Sequence, residues 1–235
     1  NAYRSVNNNK AALADYNEAI KLNSNFLEAY INRGNLYTSL KEYNAAIEDF
    51  SEVTKINPES ILAYYNRGNI YFTMGEYEMA IAQWRHAIEL DPGQALLYIN
   101  CGVASTQLGK YEDAVSYFEK AIKINPEDGL TYNRLGYICH LLKDYKKALQ
   151  YYTSALKYIP DDPEIYFNRG NSYKTLGELQ EALKDFSEAI RLKPDYMEAY
   201  NNRSSIYLSL DKYDEAIKDL SYIIEKNPDY IKAYY

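Results

Sequence analysis

Little in this sequence is long and apolar, strongly basic or rich in sulfur. No apolar run approaches the roughly 18 residues that a membrane-spanning helix needs. No basic, apolar leader opens the chain either, so membrane insertion is not expected. Cysteine occurs twice, as Cys101 and Cys139, without CxxC spacing or a nearby histidine pair. That excludes the usual zinc-ligand patterns and fits a reducing, cytoplasmic setting. Cations are outnumbered, 26 Lys and Arg against 33 Asp and Glu, and the formal charge is −7. Nucleic acid, which selects clustered Lys and Arg to neutralise phosphates, is therefore not an expected partner. No phosphate-cradling loop or nucleophile arrangement is present. The two histidines, His86 and His140, have no evident triad partner. Neither a catalytic residue nor a cofactor is expected.

What the chain has in excess is tyrosine, 28 of 235 residues, and the tyrosines recur at a fixed interval. The stretch Tyr64-Tyr65-Asn66-Arg67-Gly68-Asn69-Ile70-Tyr71 reappears 34 residues earlier as Tyr30-Ile31-Asn32-Arg33-Gly34-Asn35-Leu36-Tyr37. The same frame carries Tyr98 to Gly102, Tyr132 to Gly136, Tyr166 to Tyr173 and Tyr200 to Tyr207. With the glycine as position 8, six complete repeats follow: 27–60, 61–94, 95–128, 129–162, 163–196 and 197–230. Residues 1–26 form part of an earlier repeat and 231–235 open a later one, so a single array over 1–235 is expected. A period of this size marks a solenoid, in which each unit buries its apolar face only against its neighbours.

Inside a repeat the apolar spacing is helical. Tyr64, Tyr71 and Met74 share one face, Gly75 ends that helix in a left-handed position, and Tyr77, Ala80, Ile81, Trp84, Ala87 and Ile88 form a second stripe. Gly109 and Gly177 repeat the glycine, and Lys41, Lys143 and Asp211 stand in for it elsewhere. Pro58, Pro92, Pro126, Pro160, Pro194 and Pro228 stop the second helix. Position 20 is alanine throughout, and position 24 is a large aromatic in five repeats and Leu220 in the last. Small against large is how closely approaching helices interdigitate. The expected unit is helix–turn–helix.

These residues resemble the tetratricopeptide repeat, with tyrosine in the tryptophan slot and arginine in the leucine slot of four repeats. The resemblance implies an all-α, right-handed superhelical solenoid. Its first helices line a concave groove and its second helices face outward. It also implies protein–protein interaction as the ordinary work, without chemistry.

By that resemblance the groove is lined by a ladder of asparagines at position 6, namely Asn32, Asn66, Asn100, Asn168 and Asn202. Asn35, Asn69 and Asn171 join them from position 9. Each amide offers a donor and an acceptor, enough to grip a peptide backbone, as the similar repeats of O-linked N-acetylglucosamine transferase are understood to do. The alternative is that the amides bond one another. In repeats two to four the inward positions turn apolar with Leu62, Tyr65, Phe72, Leu96, Ile99, Val103, Leu130, Tyr137 and Leu141, beside Arg134 and His140. The expectation is a peptide or amphipathic partner helix docked there, unless Leu62, Leu96 and Leu130 are spent on packing. Arg134, Asn69 and Asn100 match part of a chaperone-tail carboxylate clamp, but its lysine slots hold Tyr65 and Leu130, so a true clamp is disfavoured. A docking arm of a larger enzyme, glycosyltransferase-like, is an alternative, as is self-association through uncapped ends. Finally, arginine at position 7 (Arg33, Arg67, Arg169, Arg203) accompanies aspartate at position 23 (Asp49, Asp185, Asp219) in three repeats. A structural pair is expected, with the same repeat's acid or the preceding one's.

Overall fold

The computed structural model describes residues 9–227. The expectations about residues 1–8, about Pro228 and about the further helix at Tyr234 and Tyr235 lie outside the described residues. No described helix is long and apolar enough to cross a membrane. The described residues fall into two compact units that divide after residue 124.

The first unit contains α1 (Asn9–Leu22) and three hairpins. These are hairpin 1, α2 (Leu27–Ser39) with α3 (Tyr43–Ile56); hairpin 2, α4 (Ile61–Thr73) with α5 (Tyr77–Leu90); and hairpin 3, α6 (Ala95–Gln107) with α7 (Tyr111–Ile124). The second unit contains hairpin 4, α8 (Gly129–Leu141) with α9 (Tyr145–Tyr158); hairpin 5, α10 (Pro163–Leu176) with α11 (Leu179–Leu192); and hairpin 6, α12 (Met197–Ser209) with α13 (Tyr213–Lys226). The all-α helix–turn–helix reading of the 34-residue period holds.

The turns follow the expected chemistry. Gly75, Gly109 and Gly177 take φ of 82°, 70° and 79°, and Lys41, Lys143 and Asp211 are forced to 62°, 62° and 56° at the same place. This left-handed residue lets the next amide turn back onto the carbonyl of position 11, as from Glu76 to Tyr71, Asp144 to Cys139 and Lys212 to Tyr207, each at 2.9 Å. The side chains of Asn57 and Asp91, beside the prolines, accept from the amides two residues on. That local bond turns the chain out of the second helix toward the next hairpin.

Packing inside a hairpin is set by positions 8 and 24. Phe50, Trp84, Phe118, Tyr152 and Phe186 are almost wholly buried, and each such ring contributes about 1.5–3 kcal/mol. A side chain at the facing glycine has no room. A Cβ on Gly68 would stand 2.3 Å from Trp84, and one on Gly102 or Gly136 would stand 2.6 Å from Phe118 or Tyr152. Hairpin 6 changes both members together, with Ser204 facing the smaller Leu220. The alanines of position 20 are buried without exception, which permits the close approach.

Candidate functional site

The first helices of each unit leave a face that their second helices do not cover. On α4, Leu62, Asn66 and Asn69 follow one another at helical spacing, and on α6 so do Leu96, Asn100 and Val103. Leu62 and Leu96 are 48% and 52% exposed, so they are not absorbed by packing. Ile99 and Val103 are half-buried. Tyr65 and Phe72 are half-buried too, and pack against the cluster around Trp84, whose indole N–H donates to the Tyr65 carbonyl. Phe72 meets Tyr77 edge-on at 5.3 Å. The large ring at position 24 draws both toward the core. In the second unit, α8 exposes Leu130 and Tyr137 to 49% and 48%, with Arg134 half-buried on the same helix.

The asparagines divide into two sets. Asn66 donates to Asn35 at 3.5 Å and Asn202 donates to Asn171 at 2.7 Å, each joining one first helix to the previous one. The side chains of Asn32, Asn69, Asn100 and Asn168 make no hydrogen bond among the described residues, and all four are half-buried. So part of the ladder ties the repeats together and part keeps its amides unengaged. Two further ties of this kind were not foreseen. His140 Nδ1 stands 2.8 Å from Ser172 Oγ, and Lys174 donates to Ser205 at 2.8 Å. Ser172 Oγ also lies 3.2 Å from the Asn168 carbonyl, so this hydroxyl links the His140 ring to the backbone of α10. Burial holds the His140 pKa below its ordinary value, and burial also lowers that of Lys174.

Behind this face the position-7 arginines pair within their own repeat. Arg33 grips Asp49 with bonds of 2.9 and 2.6 Å, Arg169 grips Asp185 with 2.8 and 2.7 Å, and Arg203 grips Asp219 with 2.8 and 2.6 Å. The remaining nitrogen reaches the preceding second helix at Asn17, Thr153 or Ser187. One guanidinium thereby fixes both a hairpin and its stacking on the previous helix. The bond to Asp49 raises the Arg33 pKa. For Arg169 and Arg203 burial is the largest single influence and works against the charge, but the hydrogen bond to the aspartate, its charge and the neighbouring tyrosines together leave the pKa raised.

Cys101 and Cys139 are buried, and burial pushes the Cys101 thiol up to about 12. His86 is exposed beside Glu89. Among the described residues no group of three or more His, Cys, Asp or Glu side chains is arranged to hold a metal ion.

Family models described as TPR repeat match residues 1–41, 34–75 and 136–177. Others described as tetratricopeptide repeat match 61–94, 95–128, 163–196, 117–150 and 198–230. Three of these have the bounds of repeats two, three and five. No curated protein matches the sequence significantly. Among solved structures, the C-terminal part of a TPR repeat-containing protein from Cytophaga hutchinsonii is similar over 99% of this chain and 95% of its own. The identity is 21% and the TM-score 0.86. YrrB, described as a TPR protein with an unusual peptide-binding site, is 23% identical over 78% of this chain and 95% of its own, with a TM-score of 0.69. MamA from Desulfovibrio magneticus RS-1 is 21% identical over 70% and 93%, with a TM-score of 0.67. At these identities the likeness is one of fold.

Proposed function

This chain belongs to the tetratricopeptide repeat family, and from that premise we propose that it is a non-catalytic scaffold whose first helices hold a peptide or a partner helix. The observation that carries the reading lies in the first unit. Half-exposed Leu62 and Leu96 share a face with the unengaged amides of Asn69 and Asn100. Apolar groups left in water beside amides with spare donors and acceptors suit a ligand with apolar side chains on a polar backbone. In the second unit Leu130 and Tyr137, beside Arg134 and His140, support an apolar ligand segment followed by a carboxylate. The peptide-binding site in YrrB's description belongs to that protein, and peptide is the ligand class proposed here.

The test starts from an array of short peptides carrying paired leucines, from which the strongest binder is taken into fluorescence anisotropy. Leu62→Ser with Leu96→Ser, and separately Asn69→Ala with Asn100→Ala, should each raise Kd tenfold or more, about 1.4 kcal/mol. Helical circular dichroism should stay unchanged. An array without a binder, or a Kd indifferent to both variants, refutes the reading.

A further inference from the structure

Hairpin 2 keeps the position-7 arginine but has lost its acid. Where hairpins 1, 5 and 6 carry aspartate, position 23 of hairpin 2 is Gln83. Arg67 reaches Thr54 of α3 only at 3.5 Å, and its Nε–H is buried without an acceptor. Gln83 is 7% exposed, and its Oε1 is buried without a donor. Two buried polar groups of the same hairpin are thus unsatisfied at the place where its counterparts make two short, charge-assisted bonds. A buried group left without a partner loses its hydration and gains nothing back, which weakens the folded state by more than a made bond strengthens it. The defect is polar and not steric, because Trp84 of the same hairpin is 2% exposed and fills the space over Gly68.

We propose that hairpin 2 is a built-in opening point, at which α4 and α5 separate locally while the flanking hairpins of the first unit stay closed. Local opening is drawn from regions with few satisfied polar ties. In a repeat array each hairpin touches only its neighbours, so one can open without the whole. The opening point needs no ligand, so its test stands apart from that of the peptide face.

Hydrogen exchange followed by mass spectrometry on the full chain reads it hairpin by hairpin. Peptides from α4 and α5 should exchange at least tenfold faster than those from α2 and α3. Trp84, the only tryptophan in the sequence, should be quenched by acrylamide more readily than its burial allows. Gln83→Asp supplies the missing acid and should slow exchange in α4 and α5 tenfold or more. Arg67→Met with Gln83→Leu removes both orphaned groups and should do the same. Slowing by either variant supports the opening point. Protection of α4 and α5 equal to that of α2 and α3, or exchange unmoved by both variants, overturns it.

Discussion

Hairpins 5 and 4 belong to one unit yet hold their helices together by different means. In hairpin 5 the guanidinium of Arg169 sits 5.6 and 5.9 Å from the rings of Tyr166 and Tyr173 and is bonded to Asp185. In hairpin 4 the three corresponding residues are Leu135, Cys139 and Tyr151, and Tyr151 lies 6.4 Å from Tyr132. Hairpin 3 makes the same exchange with Cys101, Ser105 and Tyr117. When the arginine and its acid leave, the tyrosine of position 11 shrinks to a buried cysteine or serine, and a new tyrosine arrives at position 23. One ring moves across the helix pair and fills the place of a ring and a guanidinium. The three positions change together, as one packing unit with two solutions.

The largest effect should come from breaking the charged solution. Asp185→Ala leaves Arg169 partly buried without its acid and should cost about 3–5 kcal/mol, read from urea unfolding. Transplanting one solution into the other sharpens the comparison. Cys101→Arg alone should cost about 3 kcal/mol, and adding Ser105→Tyr with Tyr117→Asp should recover at least about 2 kcal/mol of it in a mutant cycle. Additive costs would show that the three positions act separately. The smallest effect concerns hairpin 4, whose His140 ties α8 to α10. Its pKa is lowered by burial from the ordinary 6.5. A group depressed in the folded state stabilises above its unfolded pKa, and that stability is lost as pH falls from about 6.5 through the lower folded value. His140→Gln should flatten that part of the stability curve, whereas wild type and variant curves of the same shape would dismiss the role.

Much of this is legible in the sequence. The spacing of Tyr64, Gly68, Trp84 and Pro92 marked both helices and their ends, and even Lys41 and Lys143 could be placed at left-handed turns, because backbone sterics leave few other ways to end a helix there. The candidate face was legible by position but not by state. Asn66 and Asn100 occupy the same slot, yet one amide is engaged with Asn35 and the other with none of the described residues. Tyr65 faces the same way in the repeat frame as the exposed residues but is drawn against the Trp84 cluster. The absence of an aspartate beside Arg67 shows in the sequence, but not that Gln83 in its place is buried without a donor.

By itself, then, the sequence determined the period, the helices, the turn residues and the small-against-large core, since these depend on local sterics and on apolar spacing along one helix. Only the tertiary structure decided that each arginine takes the aspartate of its own repeat, which amides are engaged and which leucines remain in water. Those outcomes depend on side-chain reach across helices, which the spacing of residues along the chain does not fix.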